Sequence, residues 1–337
     1  MDIITFSSLF ARLQNLEHCA RTLRAPGRIA SLRLLNYNML TRPMFRQVAT
    51  MRPPYPIVDV HVHITSWENV RPDVAASVRD GIPDFERVQV MLTDPDRLIA
   101  FMDEQAIEKL VMINFVSPEV FGYTEEVNTF ASNMARRAPD RLIPFGGIDP
   151  RRVPDVAAEM DRLFGNLGIR GIKLHPPHQY FHVNAYRDDA SLRGLATVYE
   201  KCIEYGAPLM VHTGTSIFPR ARNKYGDPID IDDVIVDFPD LKVIIAHGGR
   251  PLWMDTALFL LRRSRNVYLD VSSIPPKRLL EYFPWLEKVA DRAMFGSDWP
   301  GPMVMDLGRN VEDFYGLPIS EDAKRKILRE TALALLT

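Results

Sequence analysis

The sequence predicts an α/β fold, a (β/α)8 barrel of the TIM type with an N-terminal helical arm, and three observations lead there. From Pro56 onward, eight short β-rich runs alternate with longer amphipathic helical patterns. Side chains able to hold a metal cluster at the C-terminal ends of those runs, which is where such barrels build their active sites. No Gly-rich phosphate turn follows the first run, which removes the main support for a doubly wound sheet; Gly248-Gly249 after the sixth is too short to serve as one.

In chain order the predicted strands are Ile57–His63, Leu110–Phe115, Leu142–Ile148, Ile169–His175, Pro208–Thr213, Lys242–His247, Val267–Val271 and Ala293–Asp298. Helices are expected over 95–107, 124–138, 154–165, 190–205, 252–264, 276–289 and 321–335. Asp94 ahead of Pro95, and Ser320 ahead of Glu321 and Asp322, are helix-start chemistry. The chain therefore divides into an arm over residues 1–52 and one catalytic domain over 53–337.

That arm is chemically distinct. It holds eight arginines, no lysine and only Asp2 and Glu17 as acids, a formal +6, so the rest of the chain carries −8 within a total of −2. Leu9, Phe10, Leu13 and Leu16 have helical spacing. Three readings fit: a structural arm packing on the domain or a sister subunit, an organellar targeting segment, or a contact for something acidic. The near-even charge excludes a whole-surface field for nucleic acid or an anionic membrane. No apolar run approaches the roughly 20 residues that span a bilayer. Two cysteines, Cys19 and Cys202, make neither a CxxC nor a disulfide framework, which points to the cytoplasm.

Five of the eight histidines sit at predicted strand ends. In Asp59-Val-His61-Val-His63 the two imidazoles point to the same side of the strand and can hold one ion from one edge. Lys173 and His175 end the fourth strand, His212 the fifth, His247 the sixth, and Asp298 the eighth. Any one of these is commonly a buried histidine or a helix cap, but their conjunction in barrel order points to a divalent metal. Imidazole with carboxylate makes Zn2+ the expected ion, with iron, manganese or nickel also compatible. No serine lies in a G-x-S-x-G elbow, which excludes that route to a nucleophile.

The segments Val58-Asp-Val-His-Val-His63, Gly171-Ile-Lys-Leu-His-Pro176, Leu209-Met-Val-His212, Val243-Ile-Ile-Ala-His-Gly-Gly249 and Phe295-Gly-Ser-Asp-Trp-Pro300 resemble the amidohydrolase superfamily. The resemblance is to its amidohydrolase-related branch, which includes aminocarboxymuconate-semialdehyde decarboxylase, and runs from about Ile57 to Thr337. It implies His61, His63, His212 and Asp298 as ligands of one metal, with two ions as the alternative. In the binuclear case Lys173 would be carboxylated and bridging, and His247 would be a ligand. In the mononuclear case His247 faces substrate and Lys173 neutralises a carboxylate in the barrel mouth.

The implied chemistry is hydrolysis of an amide, lactone or ester of a small carboxylate-bearing molecule by metal-activated water. Asp298 would shuttle the proton and His247 would steady the developing oxyanion. Arg250 suits a bidentate carboxylate clamp, whereas Arg220 and Arg222 read as solvated. His175 and His178 are placed to contact substrate, Asp59 to support the first histidines, and Trp67 and His182 to pack or face solvent. The alternative on the same scaffold is non-oxidative decarboxylation, with Asp298 or His247 protonating carbon. A silent partner-binding barrel is disfavoured because no ligand is missing, and a metal-dependent nuclease because the fourth strand offers lysine. The branch also implies a homodimer.

Overall fold

The computed structural model describes residues 52–68, 70–82, 84–301, 304 and 306–336. The rest of the arm lies outside the described residues, and its predicted helix with it. Arg52, at the arm's end, donates to the carbonyl of Glu104 at 3.2 Å and pairs with Glu312 at 3.3 Å.

Eight strands form one sheet in sequence order: β1 (Ile57–Val62), β2 (Ile107–Ile113), β3 (Leu142–Gly147), β4 (Gly171–Leu174), β5 (Leu209–His212), β6 (Val243–Ala246), β7 (Val267–Asp270) and β8 (Ala293–Met294). Every neighbouring pair is parallel. The ends meet: Val60 donates its N–H to Phe295 O at 3.0 Å, Asp298 to His61 O at 2.8 Å, and His63 to Trp299 O at 2.9 Å, so the sheet closes into a (β/α)8 barrel. Strands covered on both faces need near-continuous apolar text, and Ile57–Val62 is buried throughout. Asp59 and His61 are the polar exceptions within it.

All eight predicted strands exist, with shifted edges. β2 starts three residues earlier than predicted, and β8 is only two residues long because Phe295–Asp298 leave the β7 ladder to bond β1. Asp94 accepts from the N–H of Asp96 and Arg97, and Ser320 from Ala323, so both predicted helix starts are real caps. The predicted helix over 276–289 is broken into Leu279–Tyr282 and a looser stretch from Leu286, with Pro284 between them. Among the described residues, five α-helices escaped prediction: Pro72–Gly81, Phe85–Thr93, the single turn Pro176–Gln179, Ile231–Asp237 and Leu307–Tyr315.

Two glycines let the strands approach. A Cβ on Gly147 would lie 2.4 Å from Phe115 Cα, and one on Gly171 would lie 2.4 Å from the Phe145 ring. Asn128 fastens β3 from the preceding helix, Glu126–Ala135, donating to Gly147 O and accepting from Gly147 N, each at 2.8 Å. No helix among the described residues is long and apolar enough to cross a membrane.

Candidate metal centre and active site

The strand ends bring their polar side chains to one cavity of about 340 Å3 at the C-terminal mouth of the barrel. His61, His63, Lys173, His175, His178, His212, His247, Arg250 and Asp298 all line it. Trp67, expected to pack or face solvent, lines it too, whereas His182 pairs with Asp230 at 2.6 Å outside it. Phe115, Phe121, Tyr123 and Phe218 form an aromatic wall. Phe121 meets Phe218 at 4.5 Å and Tyr123 at 5.0 Å between ring centres.

His61, His63 and Asp298 offer ligand atoms within 4.8 Å of one another. Asp298 Oδ1 lies 2.9 Å from His63 Nε2 and 3.5 Å from His61 Nε2. Ligand atoms about 2.1 Å from one ion sit about 2.9–3.4 Å apart, so these separations are of the size a small divalent cation requires. The ring of His61 is held from behind, with Nδ1 2.6 Å from Asp270 Oδ2, while its buried Nε2 has no hydrogen-bond partner among the described residues. A carboxylate fixing one imidazole nitrogen and leaving the other bare is what a metal-binding histidine needs. The residues fit a divalent metal. His212 is buried and its Nε2 also lacks a partner, but it joins no such triplet. Its ring stacks on His175 at 3.8 Å and meets His247 edge-on at 4.7 Å.

A second triplet, His61, His247 and Asp270, is also within 4.8 Å. Here the 2.6 Å contact between His61 and Asp270 is a hydrogen bond that an inserted cation would have to break, so we read it as support for the first triplet. Asp270 and Ser272 escaped the sequence reading, although Asp270 is a carboxylate at a strand C-terminus like Asp298.

Electrostatics sort the site. Burial opposes charge on Asp298, but the His63 hydrogen bond, the attraction of His61 and His63, and Arg250 together hold its carboxyl well below the usual range. Burial, followed by neighbouring imidazoles and cations, pushes His175, His178 and His212 well below the usual imidazole range. His247 is lowered in the same way, by burial and then Arg250. These rings are neutral. Burial lowers Lys173 to about 8, partly offset by attraction to Asp270 and Asp298, and its Nζ has no hydrogen-bond partner among the described residues. Asp59 is pushed up to about 7 by burial, although Oδ1 accepts from the backbone N–H of His61 and Ser297. It therefore supports the site through the backbone.

Arg250 is held by Thr215 O at 2.8 Å and Ser273 Oγ at 2.6 Å, which fixes its guanidinium across three strand-end loops. Arg220 and Arg222 stay out of the cavity: Arg220 sits 3.8 Å from Asp73, and Arg222 covers the Tyr180 ring at 5.2 Å. His247 and Asp298 adopt left-handed backbone, φ 64° and 67°, a strained conformation that recurs at functional positions.

A sequence model of the amidohydrolase family matches residues 58–337. No curated protein matches the chain. Among solved structures, an uncharacterised TIM-barrel protein from Bordetella bronchiseptica is 26% identical with a TM-score of 0.63, covering 83% of this chain and 98% of that one. A 5-carboxyvanillate decarboxylase from Novosphingobium aromaticivorans with bound manganese is 18% identical with a TM-score of 0.57, covering 84% and 97%. A probable 2-pyrone-4,6-dicarboxylic acid hydrolase from Acinetobacter baumannii is 18% identical with a TM-score of 0.59, covering 83% and 98%. The last two show the shared fold. With the family match spanning the whole barrel, the chain belongs to the amidohydrolase family of enzymes.

Proposed function

We propose that this chain is a metal-dependent hydrolase that cleaves an amide, lactone or ester bond of a small carboxylate-bearing molecule. The observation carrying this reading is Asp298. Its carboxylate approaches His63 at the end of β1 and His61 within it, yet is still 17% exposed, on the cavity side. A divalent ion held by His61, His63, Asp298 and His212 would supply Lewis acidity and water that ionises near neutral pH. One ion is favoured, and Zn2+ is the proposed metal.

Asp298, held ionised, is the proposed base: it takes a proton from the attacking water and returns it to the leaving group. Lys173 and Arg250, two cations lining the cavity, attract the substrate's carboxylate. His175 and His178 offer partnerless Nδ1 atoms along the aromatic wall and hold the substrate's remaining polar groups. The proposed assembly is a homodimer joined through residues 1–52, a reading supported by that segment's amphipathic, arginine-rich text.

A second reading, non-oxidative decarboxylation, is favoured by the aromatic wall, which suits a planar ring. Two of the structurally similar proteins named above are a decarboxylase and a hydrolase. The test is a panel of lactones, amides and esters bearing carboxylates, together with hydroxybenzoates, given to zinc-loaded and manganese-loaded protein. Acid release without CO2, lost in Asp298→Asn, is the expected result. CO2 release from the aromatic acids without hydrolysis of any ester, amide or lactone would overturn it.

A further inference from the structure

The geometry points to Ser272 as the positioning residue that fixes the proton of His247 on Nδ1, so that His247 presents an unprotonated Nε2 to the cavity. Ser272, Asp270, His61 and His247 are all buried and share few protons among many contacts. His61 Nδ1 is 2.6 Å from Asp270 Oδ2, so that nitrogen carries a proton and donates it to the carboxylate. Ser272 Oγ lies 2.8 Å from the same Asp270 oxygen and 2.9 Å from His247 Nδ1, and its hydroxyl has one hydrogen to give. His247 Nδ1 also lies 3.2 Å from the carbonyl oxygen of Ser272.

Proton positions follow from which arrangement satisfies every contact. If the hydroxyl donated to His247, two lone-pair contacts would result. One sets Ser272 Oγ against Asp270 Oδ2, and the other sets His247 Nδ1 against the Ser272 carbonyl. If it donates to Asp270, Oγ and the carbonyl both accept from His247 Nδ1–H and nothing buried is left opposed. The second arrangement holds. His247 therefore enters the chemistry as a proton acceptor or an electron-pair donor, and cannot give the hydrogen bond to an oxyanion expected of it from sequence. Gly296 is part of the same device: a Cβ there would lie 2.3 Å from Asp270 Oδ1 and 3.0 Å from Ser272 Cβ.

The contacts fix the proton on Nδ1, and burial of the ring disfavours a second proton on Nε2; the assignment rests on the hydrolase reading only for what Nε2 does in turnover. The experiment is nitrogen-15 NMR of the histidine side chains in the full zinc-loaded chain, with His247 assigned by its loss in His247→Gln. A proton on Nδ1 and none on Nε2 is expected; a proton on Nε2, or exchange between the two forms, overturns the proposal whatever the reaction proves to be. Zinc affinity is read separately by chelator competition. Ser272→Ala should weaken it tenfold or more, because Asp270 then loses the donor that orients it behind His61, with Ser272→Thr restoring most of the loss. Unchanged affinity in Ser272→Ala would remove the positioning role. If that variant does not fold, the spectrum of the unaltered protein still decides.

Discussion

Burying Lys173 works against folding, and the direction can be worked out. Its ammonium is lowered from 10.5 to about 8, so between those pH values the unfolded chain binds more protons than the folded one. Stability therefore rises with pH across that window, and the whole penalty, about 3 kcal/mol, applies below about pH 8. Lys173→Met should stabilise the metal-free protein by about 2–3 kcal/mol at pH 7 and flatten the rise between pH 8 and 10.5, as read from urea midpoints. A less stable variant would mean that the ammonium is paired. Asp298 has the opposite sign. Its depressed carboxyl contributes stability at neutral pH that is lost as pH falls through the acid range. Asp298→Asn should lower turnover by about 10²–10⁴-fold and lose the stability that the ionised carboxyl contributes at neutral pH; near-normal turnover would remove Asp298 from its proposed role. These residues were legible because a charged side chain in strand text has few bland explanations. Asp270 met the same criterion and was passed over, because its role lies in a contact with His61 that spans 209 positions and that the periodicity within each strand does not reveal; Ser272 is uncharged and carried no such signal.

At the scale of the element, the strands were legible and their edges were not. Apolar runs mark where a strand is buried on both faces, but a ladder stops where its neighbour stops, and β8 turns away to bond β1 after only two residues. The unpredicted helices between β1 and β2 show a different limit. Asp84, with φ 53°, separates two amphipathic stretches, each of ten residues or fewer and so too short for its periodicity to stand out in the sequence. The side chain of Asn128 does for β3 what a ladder partner would do. Asn128→Ala should strip Gly147 of two buried hydrogen bonds and cost about 2–4 kcal/mol by denaturant midpoint. A loss under about 1 kcal/mol would mean that water replaces the amide.

For the whole molecule, the barrel and its metal-ligand side chains could be read in order along the chain, because strand ends converge on one face whatever the loops do. The cavity could not. Its aromatic wall is assembled from Phe115, Phe121, Tyr123 and Phe218, loop residues whose meeting depends on tertiary packing. Residues 1–52 belong to this scale too: deleting them should convert a dimer to a monomer by light scattering, and an unchanged mass would exclude them as the dimerising element. The most direct test of the account is metal content per chain, by elemental analysis of zinc-loaded, desalted protein and of His61→Ala. About one ion in the unaltered chain and close to none in the variant is the predicted result. No retained metal in the unaltered chain, or equal metal in both proteins, would contradict a centre built on His61, His63 and Asp298.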